Sequence, residues 1–322
     1  MLVKAAHTAA FYFMKKSKPI LLITAGDPLG IGPEVTVKAL CNKRVQAACT
    51  PLIIGDKNSL RKVGWSEKLA GLIAIESTRK QPTRRAPSAW GGEISFKALQ
   101  LACKLTAQGR ARALVTAPIS KQSWALAGVP FTGHTEFLRK YYGNTALMMF
   151  VSGNLRCGLV SEHFAVKDLP KILSKQRIIS AGKDFAQALK KLGIKNPCIG
   201  VSALNPHAGD NGKFGIEENK VIAPAIAALR KAGIKAEGPY PVDSLWSKHA
   251  HGQFDGILCM YHDQALLGLK LAAREPIVHI TAGLKFLRTS PTHGTAFDIA
   301  GQNKADPSSM VSAILFAAKR LY

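Results

Sequence analysis

The stretch "PILLITAGDPLGIGPEVTVKAL" (Pro19–Leu40) decides the fold class. Its first half is a short run of isoleucine and leucine closed by Gly26, Asp27 and Pro28, the composition of a buried strand and its turn. Its second half begins a helical pattern, "GPEVTVKALCNKRVQ", with Pro33 in the first turn, where a missing N–H costs nothing. That pair is one βα unit. The runs "ACTPLIIGD", "ARALVTAPIS", "LMMFVSG", "LRCGLVSEH", "PCIGVSALNP", "FDGILCMYH" and "EPIVHITAG" read as further strands. Between several of them lie helical patterns such as "ISFKALQLACKLTAQG", "QRIISAGKDFAQALKKLG" and "ENKVIAPAIAALRKAG". Strands alternating with helices predict an α/β fold with a largely parallel sheet. Ser77–Gly92 and Gly238–Trp246 read as loops, and no internal repeat or low-complexity linker interrupts the chain.

A chain of 322 residues with 47% hydrophobic content is long enough for one large or two ordinary domains. No apolar run reaches the roughly 18 to 20 residues that a bilayer requires, so no membrane span is expected. The N-terminal "MLVKAAHTAAFYFMKKSKP" reads as an extension, or as the product of a start upstream of Met14; a Lys pair stands where a signal peptide would carry its cleavage site. Six cysteines, Cys41, Cys49, Cys103, Cys157, Cys198 and Cys259, show no close pairing, which fits reduced thiols and a cytoplasmic location. The formal charge of +24 would attract phosphates, acidic metabolites, nucleic acid or anionic lipid. The basic residues are scattered, without a basic tail or aromatic stripe, which favours a solvated surface over a nucleic-acid or membrane interface.

Open α/β sheets bind ligands beyond the carboxyl ends of their strands. Five polar clusters fall at such ends: "TAGDPLGIGPE", "TAPISK", "SEHF", "NPHAGD" and "YHDQ". Three of them carry a histidine in a matched position: His163, His207 and His262. Imidazole is a common ligand for zinc and other divalent metals, and Asp210 and Asp263 stand close enough in sequence to orient two of the rings. Spacing alone leaves open a metal triplet or three ordinary loop histidines. His134 and Thr135 in "TGHTEFL" precede a helical stretch whose first N–H groups favour anions, or simply cap it. Lys270 and Arg288 can each bind carboxylate or phosphate, or lie on the surface. The glycines of "GDPLGIGPE" match neither the Rossmann fingerprint nor a P-loop. "PTHGTAFDIAGQNKADP" (Pro291–Pro307) offers His293, Thr295 and Asp298 to a ligand.

Taken together, "ITAGDPLGIGPEV", "VTAPISK", "GHTEFL", "LNPHAGDNGKFGIEE", "GPYPVDSLW", "YHDQALLGLK" and "RTSPTHGTAFDIAG" resemble, in order, the motifs of the 4-hydroxythreonine-4-phosphate dehydrogenases of pyridoxal phosphate biosynthesis. The resemblance runs from about Pro19 to Tyr322, and the last motif is also similar to the cofactor loop of isopropylmalate and isocitrate dehydrogenases. It implies two α/β/α domains of the isopropylmalate dehydrogenase type with the active site in the interdomain cleft. Domain one is expected over 19–130 plus 285–322 with the cofactor loop, and domain two over 131–284 with the metal ligands and dimer contacts; 1–18 is the extension. The resemblance further implies a homodimer with each site completed by its partner, and NAD or NADP bound at His293, Gly294, Thr295, Ala296 and Asp298. His163, His207 and His262 match the ligands of one divalent metal (zinc, magnesium or cobalt), supplied from both subunits. His134, Thr135, Lys270, His279 and Arg288 match substrate-binding positions, and Lys270, Asp243 and Asp263 are the candidates for the catalytic base. The implied reaction oxidises 4-phosphooxy-L-threonine to 2-amino-3-oxo-4-phosphooxybutanoate, which decarboxylates to 3-amino-2-oxopropyl phosphate; a bound metal would acidify the hydroxyl.

The chain departs from that family's pattern at His279 (commonly Asn), Thr292 (commonly Asp) and Ala265 (commonly Gly). His279 opens a second reading, a dehydrogenase of 4-phosphorylated threonate or erythronate. A reading of another class, a basic polyanion binder on the same fold, lacks any nucleic-acid-binding signature to support it.

Overall fold

Strand β1 (Ile20–Thr24) forms where the opening stretch predicts it, with Leu21, Leu22 and Ile23 fully buried. In this computed structural model, which describes residues 18–319, the chain divides into two compact units. The extension, apart from Lys18, lies outside the described residues, as do 320–322 of the expected first domain. Unit one comprises the described residues up to Gly133 together with His293–Lys319; unit two is His134–Thr292.

Unit one carries β1, β2 (Thr50–Gly55), β3 (Gly71–Ala74) and β4 (Ala113–Thr116) in the order β3-β2-β1-β4, all parallel. The helix Ala89–Ala107 packs on β1, β2 and β4 together with helix Lys121–Leu126. Helix Ser308–Lys319 packs on β1 and β4 with helices Gly32–Leu40 and Lys43–Ala48, so the sheet is covered by two helical groups. Pro33 sits in the first turn of Gly32–Leu40, as expected.

Unit two contains β5 (Gly143–Ser152), β6 (Leu155–Leu159), β7 (Cys198–Ser202), β8 (Lys235–Tyr240), β9 (Gly256–Cys259), β10 (Val278–Leu284) and β11 (Leu287–Ser290), in the order β11-β10-β5-β6-β9-β7-β8. From β6 to β8 the strands are parallel; β5, β10 and β11 join antiparallel. Helices Val242–Ala250 and His262–Ala272 cover the parallel strands through a core of Phe150, Leu159, Leu245, Phe254, Ile257 and Leu269. Burying each such side chain contributes roughly 1.5–3 kcal/mol.

Two expectations are corrected. Residues 285–292, placed with the cofactor loop, belong to unit two because β11 pairs with β10. Gly238–Trp246, read as a loop, ends strand β8 and starts helix Val242–Ala250, with Pro241 alone between them. None of the six cysteines is in a disulfide, and no helix among the described residues is long and apolar enough to cross a membrane.

Candidate active site

Parallel pairing of β6, β9 and β7 brings the carboxyl ends of three neighbouring strands to one edge of unit two. The pairing of β6 with β9 continues past both strands: Val160 N donates to Cys259 O at 2.9 Å and Ser161 N to Met260 O at 3.1 Å. His163 and His262 follow directly and stand side by side, with ring centroids 5.4 Å apart. His262 is also the first residue of its helix, and its Nδ1 lies 2.8 Å from Asp263 Oδ1. This contact holds the ring through Nδ1, as a carboxylate does for the second nitrogen of a metal-bound imidazole.

Next to this pair is a buried polar group that the strands β10 and β11 present. His279 is 7% exposed and Arg288 2%. Arg288 Nη1 donates to Thr281 Oγ1 at 2.9 Å and lies 3.3 Å from His279 Nδ1, which also meets Ser290 Oγ at 3.0 Å. The imidazole stacks on Phe150 with centroids 4.9 Å apart. Its Nε2 is buried and has no hydrogen-bond partner. Burial, then the Arg288 charge and then His163, hold the His279 pKa well below 6.5. His134, the first residue of helix His134–Tyr142, is held well below 6.5 by burial, Arg288 and His279. These influences place His134, Arg288, His279 and His163 in one electrostatic neighbourhood, with a permanent cation beside the neutral imidazoles of His134 and His279, suited to anionic oxygen.

His207 does not join them. It lies five residues beyond β7, against four and three for His163 and His262 beyond their strands, and it is exposed, with its ring near Phe214. Among the described residues no three His, Cys, Asp or Glu side chains are placed to hold a metal ion, so the expected triplet is not assembled within one chain. The loop itself is firmly built. His207 to Asn211 all have positive φ, a conformation costly for residues with a side chain. Glu218, 2% exposed, secures it by accepting from Leu204 N, Asn205 N and Asn205 Nδ2 at 2.8–3.0 Å. Gly209 is required there, since a Cβ would meet Glu218 Oε2 at 2.7 Å and its φ is +79°. Burial pushes the Glu218 pKa up, but the hydrogen bonds from Asn205 and its neighbours outweigh it and leave the carboxyl below its usual value.

Lys270 lies on the helix that begins at His262, eight residues on and so about 12 Å along its axis, and is exposed. Asp243 is exposed in the first turn of its own helix, and Thr135 is the second residue of helix His134–Tyr142. Ala265 is fully buried in the core, so this departure faces packing. Thr292 is exposed.

In unit one the glycine-rich stretch after β1 supports the loop expected to bind the cofactor. Ile31 N donates to Thr295 O at 2.9 Å, and a Cβ on Gly30 would meet Thr295 O at 2.8 Å. Glu34, also buried, accepts from Gly301 N, Ala305 N and Lys38 Nζ. The loop therefore has a fixed base. His293 Nδ1 meets Gly294 O at 3.1 Å, while its Nε2 is buried with no hydrogen-bond partner. Ala296 takes a positive φ of 38°, and Asp298 is exposed. Glu34, Glu218, Ser290 and Phe150 escape a reading of the sequence because their roles depend on contacts with distant segments; the acidic pair closing "KFGIEE" was the one visible signal.

The profile of the family described as pyridoxal phosphate biosynthetic protein PdxA matches residues 40–317. A 4-hydroxythreonine-4-phosphate dehydrogenase of Caulobacter vibrioides is 40% identical over 94% of this chain and 97% of its own. A D-threonate 4-phosphate dehydrogenase of Cupriavidus necator is also 40% identical, over 92% and 95%. Among solved structures, a 4-hydroxythreonine-4-phosphate dehydrogenase from Klebsiella pneumoniae aligns with a TM-score of 0.84 and 31% identity, covering 95% of this chain and 98% of that one.

Proposed function

Since the chain belongs to the family of pyridoxal phosphate biosynthetic protein PdxA, we propose that it is a 4-hydroxythreonine-4-phosphate dehydrogenase of vitamin B6 synthesis, oxidising 4-phosphooxy-L-threonine with NAD or NADP as hydride acceptor. The observation that carries this reading is the buried Arg288, His279 and His134 group beside the His163–His262 pair. Arg288 supplies charge and His279 Nε2 a directed donor for an anionic end of the substrate. Fixing that end orients the rest of the molecule and removes several kcal/mol of barrier that random encounter would leave.

The imidazole pair suits a divalent ion. Two nitrogen donors, one locked by Asp263, favour zinc or cobalt over magnesium. Such an ion, held by His163 and His262, supplies Lewis acidity toward the substrate hydroxyl. His207 is then the third ligand, contributed by a second copy of the chain. Exposed apolar side chains accompany all three histidines: Phe164 and Val166 after His163, Phe214 and Ile216 after His207, and Leu267 and Leu271 on the helix of His262. Apolar exposure around polar ligands of this kind supports a homodimer. Asp263 is committed to His262, which leaves Lys270 Nζ and Asp243 to take the hydroxyl proton. The loop His293, Gly294, Thr295, Ala296 and Asp298 is the proposed dinucleotide site, on its fixed base of Gly30 and Glu34.

One observation favours a second reading, oxidation of a 4-phosphorylated threonate or erythronate. His279 presents a donor, which an oxygen substituent can accept and an ammonium group cannot. Turnover of 4-phosphooxy-L-threonine and of D-threonate 4-phosphate, measured side by side with NAD and NADP, tests both. A kcat/KM favouring the amino acid supports the first reading, one favouring the hydroxy acid the second, and turnover of neither rejects both.

A further inference from the structure

The loop carrying His163 also borders a cavity of about 420 Å³ that lies wholly within unit two. Its buried lining is apolar, with Leu159, Val160 and Ala181, and its polar lining includes Arg139, Arg177 and Glu162. The volume and the mixture match a small-molecule site, in which an apolar body is buried and a few polar groups orient it. Arg139 Nη2 pairs with Glu162 Oε1 at 2.6 Å. Arg177 donates from Nε to Val160 O at 2.9 Å, and its guanidinium lies over the Phe164 ring at 5.4 Å. These two contacts fix the plane of the guanidinium, and its terminal N–H groups are not spent on Val160. Burial, followed by the like charge of Arg139, lowers the Arg177 pKa, and Glu162 opposes them by less. Arg139, Arg177 and Glu162 thus line the cavity beside an apolar surface.

We propose that this cavity is a second ligand site, separate from the His163–His262 pair, for a small organic anion: a phosphate or carboxylate group on an apolar body. The anion meets the terminal N–H groups of Arg177, and the body rests on Leu159, Val160 and Ala181. Val160 and Glu162 line the cavity while Phe164 covers Arg177, so a bound ligand restrains both sides of His163. Occupancy therefore modulates the active site.

The probe is phenyl phosphate, titrated calorimetrically into the full chain, with inorganic phosphate and benzyl alcohol as controls for its two halves. Phenyl phosphate is expected to bind more tightly than either control. Arg177→Gln and, independently, Arg139→Gln are each expected to weaken it by roughly tenfold or more, the loss of a charged hydrogen bond. Thermal unfolding of both variants should match the parent, and binding should survive Arg288→Gln. Absence of binding, equal binding by parent and Arg177→Gln, or binding lost through Arg288→Gln instead would overturn the proposal.

Discussion

Arg288 Nη1 approaches His279 Nδ1 to 3.3 Å, and a guanidinium can only donate, so Nδ1 is the acceptor and the neutral ring carries its proton on Nε2. That N–H is buried without a partner, which costs about 1–3 kcal/mol until an acceptor arrives. Protonation of His279 is disfavoured by burial and by the neighbouring cation. The ring acts as a neutral, directed donor.

His279→Phe keeps a ring to stack on Phe150 and removes both nitrogens. The KM for the phosphorylated substrate should rise on the order of 10- to 100-fold, the equivalent of one hydrogen bond to a charged group. His279→Asn, which can still donate, should recover part of the loss. Steady-state kinetics decide it, and a KM unchanged in His279→Phe would remove the residue from the binding site.

Stability should fall on acidification. His279, by burial with Arg288 and His163, and His249, by burial against an opposing hydrogen bond to Phe254 O, both titrate below 6.5 when folded. The unfolded chain then binds more protons below that pH. Their contribution is complete above about pH 6.5 and is lost below it by up to about 1.4 kcal/mol per pH unit and ring, until each folded pKa is reached. Urea unfolding across this window should show the slope, reduced in His279→Phe; a flat profile refutes it.

Asp263 is 76% exposed, so Asp263→Asn should leave thermal stability within about 0.5 kcal/mol of the parent. Its contact with His262 Nδ1 orients a proposed metal ligand, and the substitution should weaken zinc affinity by about 10- to 100-fold. Competition with a chromogenic chelator measures this. Equal affinities would show that the carboxylate has no part in the site.

Glu218→Gln replaces a buried acceptor of three hydrogen bonds with a weaker one and adds two N–H donors. A loss of about 2–3 kcal/mol is expected from denaturant unfolding. Hydrogen exchange should also quicken through residues 204–212, the loop of His207. Protection unchanged there would mean that the loop holds its shape without Glu218.

Strands such as Ile20–Thr24 and Gly256–Cys259 are legible in the sequence because each is a short apolar run that its neighbours bury completely. Gly238–Tyr240 is not, since Gly238 and Pro239 read as turn residues; β8 is the end strand of its unit's sheet order, where proline is tolerated. His163 and His262 are legible as a pair because β6 and β9 are parallel neighbours. His207 is legible as a residue after a third parallel strand, but the left-handed loop that holds it is pinned by Glu218, a contact that spacing does not reveal. The tautomer of His279 depends on Arg288 from another strand, which one-dimensional spacing does not reveal.

The most direct test removes metal with a chelator and follows nicotinamide reduction with 4-phosphooxy-L-threonine and D-threonate 4-phosphate, before and after zinc or cobalt is restored, in the parent and in His262→Ala. The metal-replete parent is expected to turn over at least one substrate, to lose that activity on chelation and to recover it with the ion, and His262→Ala to show none under any condition. Turnover that survives chelation, or that persists in His262→Ala, would contradict the proposed metal-dependent function.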